Sequence, residues 1–216
     1  MSSKLAALQK TFISCALAIL FSFIAHAASS SMLTSQDAVL EEQADSKVLM
    51  RQLTDRDPLV RQRAAEGLAR LAAPQQRKLV EGYRLQEKHV RVRLALDWAL
   101  YRMGKQDAIY PVVRDLDSTR YNQSEAYLAE LETPEPLYNI LPRVNGNTQI
   151  KLLETLARAG NAGTLEIVEP FASSLDPKIA EAARFAQREI TRRLNEPQPD
   201  TKTRKRQAGK ANPMIP

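Results

Sequence analysis

The sequence predicts an all-α fold of about five stacked helix pairs, and three observations predict it. A unit recurs about every thirty residues between Val48 and Leu194. Inside each unit the apolar positions fall at helical spacing. No segment shows sustained period-two alternation, so strands are not expected. A unit this short leaves an apolar face that it cannot bury alone, and its neighbours supply the cover.

Residues 1–27 read as an export signal. Lys4 and Lys10 give a positive start, Phe12 to Ile24 form an apolar run, and Ala25-His26-Ala27 offers a small-x-small site with cleavage after Ala27. The run falls short of the about 20 apolar residues that a spanning helix needs. The expected location is therefore periplasmic or secreted, with no membrane-spanning segment left after cleavage. Cys15 lies inside the run rather than at its close, which argues against lipid attachment. Cleavage also removes the single cysteine, so the domain has no disulfide to use and depends on packing.

Residues 28–47 read as a spacer and a capping helix. Ser29 to Ser35 form the spacer, and Thr34 or Ser35 is placed to cap a helix carrying Val39, Leu40 and Ala44. Asp37, Glu41 and Glu42 early in it suit the positive end of the helix dipole. This helix is expected to cover the open end of the first repeat.

Residues 48–194 form the repeat domain. The second helix of the first unit places Ala64, Leu68 and Leu71 four, eight and eleven residues after Val60. Val90 is followed in the same way by Leu94, Trp98 and Tyr101, and Thr148 by Leu152, Leu156 and Ala159. Small residues beside this stripe (Ala65, Ala69, Ala95, Ala99) let neighbouring helices approach closely. The third unit, counted from Tyr121, is degenerate, with Glu125 where an apolar residue is expected; Ala126, Leu128, Ala129 and Leu131 are left to supply its face. The fifth keeps Ile179, Ala183, Ala186 and Ile190 but carries Arg184, Gln187 and Arg188, the polar outer face of a terminal cap. A shorter apolar helix is expected before each: Val48–Leu53, Leu79–Leu85, Ile109–Leu116, Leu137–Val144 and Leu165–Leu175. Asp57-Pro58 and Asp176-Pro177 mark second-helix starts, since Asp caps free N–H groups and Pro has none to satisfy.

The run Asp57-Pro58-x-Val60-Arg61-x-x-Ala64-Ala65 and the joints Met103 to Ile109 and Ala159 to Gly163 resemble HEAT repeats of the phycobilin-lyase type. The resemblance implies an α-solenoid of antiparallel helix pairs, a HEAT-like superhelix, with the second helices lining its concave side. It does not imply lyase chemistry, because fold alone does not carry function. No cofactor is expected from it.

Arg61, Arg63, Arg91 and Arg93 occupy matching places in the first two units. Guanidinium forks in rows could clamp an acidic group. The resemblance assigns the arginines matching Arg61 and Arg91 commonly to bonds between repeats, so a scaffold role competes with a ligand role there. Aromatic residues gather in the middle of the chain. Trp98 lies on the apolar stripe and reads as core, whereas Tyr101, Tyr121 and Tyr127 read as anchors in an exposed groove. His89, the one histidine after the signal, sits at a helix start with no motif around it. Neither a catalytic residue nor a metal ligand set is assigned.

Residues 195–216 are Pro-rich and basic and read as a disordered tail. Lys202, Arg204, Lys205, Arg206 and Lys210 outweigh Glu196 and Asp200, giving the tail +3 of the +4 carried after cleavage. The body is thus nearly neutral, and the tail is the place for an anionic envelope contact. It has no Tyr or Trp to stack on bases, so nucleic acid is not expected as a partner. The reading is an exported, non-enzymatic scaffold holding a protein or peptide in its concave groove. The alternatives are a lyase-like or enzyme-assisting protein, and a tethering module acting through the tail.

Overall fold

The protein is described here by a computed structural model covering residues 44–196. The export segment, residues 28–43 and the basic side chains Lys202, Arg204, Lys205, Arg206 and Lys210 lie outside the described residues. Among the described residues the regular elements are helical and no strand occurs. The fold class is the all-α, helix-pair repeat class that the periodicity predicts. Contacts divide the chain into two compact units, one ending at Ala108 and one beginning at Ile109. That division falls at the start of the third repeat.

In the first unit, α1 is helical over 44–52 and runs without a break across the boundary expected between 47 and 48. It is followed by α2 (Pro58–Leu71), α3 (Arg77–Gln86) and α4 (Val90–Arg102). Asp57 begins α2 as the sequence predicts: its carboxylate accepts the Leu59 N–H at 2.8 Å, with Pro58 in the first turn. The second helices α2 and α4 pack together, and α3 packs on α4. Their shared core holds Ala64, Ala65, Leu68, Leu94, Ala95, Trp98 and Ala99. Each fully buried leucine there contributes about 2 kcal/mol. Helix α4 ends in a Schellman turn: Lys105 N–H bonds Leu100 O, Gly104 N–H bonds Tyr101 O, and Gly104 takes φ +91°.

In α3 the sequence reading is only half right. Val80 is buried, but Leu79 and Leu85 are 58% and 80% exposed. Arg84 takes the inward place instead, because Asp97 on α4 is buried and needs its two-pronged bond at 2.7 and 3.1 Å.

The second unit contains α5 (Ile109–Arg114), α6 (Tyr121–Ala129), α7 (Glu135–Tyr138), α8 (Gly146–Ala159), α9 (Ala162–Val168) and α10 (Pro177–Asn195). Its first helices are shorter than expected, each passing into a 3-10 turn. Prolines explain two of these breaks. Pro142 and Pro170 have no N–H to bond the carbonyl four residues back, so the ladder cannot continue through them. Helix α8 packs on α6 and on α10, and α10 covers α9. Asp176 caps α10 through the Lys178 N–H at 2.9 Å. Arg193 on α10 donates to the carbonyls of Ala157 and Gly160 at 2.6 and 3.2 Å, so the C-terminal ends of α8 and α10 lie together.

The third repeat is not degenerate but slipped by one residue. Its buried positions are Ser124, Tyr127 and Leu128, whereas Ala126 and Ala129 are exposed. Counting from Arg120 rather than Tyr121 puts Ser124, Leu128 and Leu131 four, eight and eleven residues on, as in the first two units. Glu125 then faces outward, where an acidic residue is ordinary.

Candidate functional site

Arg61 belongs to the scaffold. Its Nε donates to Glu87 Oε2 at 2.7 Å and its Nη2 to Oε1 at 3.0 Å, while Nη1 donates to the carbonyls of Asp55 and Arg56 at 2.8 and 3.1 Å. Glu87 Oε1 also accepts the His89 backbone N–H at 2.8 Å, holding the start of α4. The bond from Arg61 keeps the Glu87 carboxyl below the ordinary carboxylate range, against the opposing effect of burial. This corrects the ligand role for Arg61: four of its five N–H groups are already used. The pair lines a cleft of about 410 Å³ floored by Leu53, Val92 and Leu96.

The other arginines of the two rows are not equivalent to it. Arg63 and Arg91 are exposed on α2 and α4, and Arg93 is half-buried. Tyr101 is half-buried, its ring stacked on Trp98 at 5.5 Å and 25°. Burial pushes its phenol up, only partly countered by the charge of Arg102. Trp98 is 1% exposed, the core residue that its stripe position predicts. His89 is exposed as the N-cap of α4.

Tyr127 is corrected as well. It is 5% exposed, with its hydroxyl accepting Gln123 Nε2 at 2.7 Å, and so cannot anchor a partner in a groove. The one-residue slip carries it onto the buried face of α6. Tyr121 remains at the surface, half-buried on the same helix. Lys151 Nζ lies 5.4 Å from its ring centre, and its hydroxyl accepts Arg158 Nη2 at 3.3 Å. Arg158 also forms an ion pair with Glu125. The residue that spoiled the repeat in the sequence is thus part of a polar surface.

That surface leads into an open groove of about 650 Å³ between α8 and α10. Asn147, Ile150, Lys151, Glu154 and Arg158 line it from α8, spaced along one helical face. Lys178, Glu181, Ala182, Phe185 and Arg188 line it from α10. The joined C-terminal ends mean that the two helices run in the same direction. Lys151 bonds Glu154 at 2.8 Å, which raises its pKa despite partial burial. Among the described residues no carboxylate lies within ion-pair reach of Lys178 or Arg188. Phe185 is 44% exposed. Sequence reasoning missed this groove because it took Arg184, Gln187 and Arg188 together as a polar cap. The available signal was Phe185, a large ring on the outward side of a helix whose inward stripe is already supplied by Ile179, Ala183, Ala186 and Ile190.

No helix among the described residues is long and apolar enough to cross a membrane. A family model described as HEAT repeats matches residues 46–129. Neither the curated proteins nor the solved structures give a match. With its helix-pair period, its Asp-Pro helix starts and the arginine that ties one repeat to the next, the stretch from 46 to 129 is similar to HEAT repeats.

Proposed function

We propose that this protein is an exported, non-enzymatic scaffold that holds a protein or peptide partner on the second helices of its repeats. The observation that carries the reading is the open groove between α8 and α10. It combines a half-exposed aromatic ring with two cations of α10, Lys178 and Arg188, that have no ion-pair partner among the described residues, set beside the rigid helix α8. Aromatic anchors with a charged rim are the usual build of a protein-binding surface. The two-pronged charge pairs support the non-enzymatic part. In Arg61–Glu87, Arg84–Asp97 and Arg120–Asp115 each carboxylate is held by its own arginine. HEAT repeats are typical protein-interaction scaffolds, which agrees with this reading.

The test is capture of a partner from envelope extract by the full chain beside two charge-reversal variants and a deletion of Lys202–Lys210. Lys178→Glu/Arg188→Glu alters the α8–α10 groove, and Arg63→Glu/Arg93→Glu alters the first unit. A partner lost from the first variant and kept by the second supports the groove. A partner kept by both places recognition elsewhere, and loss only on deleting Lys202–Lys210 assigns it to the tail. Export is tested separately: the N-terminus of the protein recovered outside the cytoplasm should be Ala28.

A further inference from the structure

The groove between α8 and α10 has a chemistry narrower than protein binding in general. Its lining carries four cations and two carboxylates. Lys151 and Arg158 are held by Glu154 and Glu125, so the cations left for a ligand are Lys178 and Arg188. They sit ten residues apart on α10, about 15 Å, one toward each end of the groove. Between them Ile150, Ala182 and Phe185 form an apolar floor. Ala182 is the small member of that floor, one turn before Phe185 on α10. Both helices begin at the Lys178 end, so two positive helix ends add to its charge.

We infer that this groove takes an acidic peptide bearing one large apolar side chain. The apolar side chain seats against Phe185 and Ile150, and carboxylates flank it toward Lys178 and Arg188. About five extended residues, or about three helical turns, span the lining of α8 from Asn147 to Arg158. Glu181 sets the selectivity: it lies between Lys178 and Arg188 on α10, about 4.5 Å along the helix from Lys178, has no cation within reach among the described residues, and repels an acidic group placed between the two cations. The apolar residue belongs at that middle place and the acidic ones at its two sides. This inference rests on the reading of the second-helix face as the binding surface.

The experiment is selection of random peptides of about ten residues on the immobilised full chain, a length that fills the groove as a helix. Phe185→Asp and Lys178→Glu/Arg188→Glu are run in parallel, and helical circular dichroism confirms that both are folded. The expected winners carry one large apolar residue between acidic ones. Each variant should weaken a labelled winner about tenfold or more in fluorescence polarisation, and high salt should weaken it as well. Basic or uncharged winners that are still lost with Phe185→Asp overturn the acidic ligand and leave the binding face standing. Winners that ignore Phe185→Asp, or no winners, overturn the site. A concentration-dependent dimer abolished by Phe185→Asp assigns the groove to a second copy of the chain and overturns the peptide.

Discussion

Arg61 and Glu87, twenty-six residues apart, form a parallel two-pronged bond that ties the second helix of the first repeat to the joint of the next. The Arg61 and Glu87 side chains are only 17% and 8% exposed, so the bond is partly shielded from water. Removing one partner leaves the other shielded without its counter-charge. Glu87→Ala also takes the acceptor from the His89 N–H. It should cost about 2–3 kcal/mol in urea unfolding. Arg63→Ala, an exposed change on the same helix, should stay within about 0.5 kcal/mol. Equal losses for the two would remove the structural distinction drawn between these arginines.

The same pair sets a pH dependence. Glu87 titrates below its ordinary value of 4.5 in the folded chain, chiefly through the Arg61 bond. The unfolded chain therefore binds the proton more readily. The stabilisation is complete above 4.5 and is lost as pH falls through the folded value. Thermal melts should show the midpoint dropping over that acid range. Glu87→Gln should melt lower at neutral pH and fall less steeply in acid. A variant curve that stays parallel to the wild type would assign the acid loss to other carboxylates.

Gly160 is a position of space rather than of backbone freedom. A Cβ there would stand 2.5 Å from the Leu156 carbonyl, 2.8 Å from Ile190 Cδ1 and 2.9 Å from Thr164 Cγ2. The carbonyl belongs to the end of α8 and cannot move cheaply. Gly160→Ala should therefore destabilise by about 2–3 kcal/mol. In α3, Gly82 has nothing within 4 Å of a Cβ. Gly82→Ala should stabilise by about 0.5–1 kcal/mol, from helix propensity alone. Chemical denaturation of the two variants reads both signs at once.

What the sequence made legible follows from which forces are local. Asp57-Pro58 and Asp176-Pro177 act within one turn, and both cap as read. The stripe from Val60 depends on helical period, and Ala64 and Leu68 are buried as read. Arg84 could not be seen as inward-facing, because its reason is a carboxylate on another helix. The α8–α10 groove was hidden for the same cause: its residues lie about thirty apart in sequence and meet only through packing. In the third repeat a single residue of slip carried Tyr127 inward and Ala126 and Ala129 outward while Leu128 stayed buried, since on a helix one position turns the side chain by about 100°.

That slip gives the sharpest contrast between two tyrosines of one helix. Tyr127 lies on the buried face of α6, while Tyr121 lies at its edge beneath Lys151. Tyr127→Ala would open a cavity and remove the hydroxyl that accepts from Gln123 Nε2, costing about 3–4 kcal/mol. Tyr121→Ala loses a partly exposed ring contact and one long hydroxyl bond, costing under about 1 kcal/mol. Counted from Tyr121, the repeat leaves Tyr127 at the surface, so its loss would cost no more than that of Tyr121. Urea unfolding of the two variants decides the register directly: a larger loss for Tyr121→Ala would restore the uncorrected count and return Tyr127 to the surface.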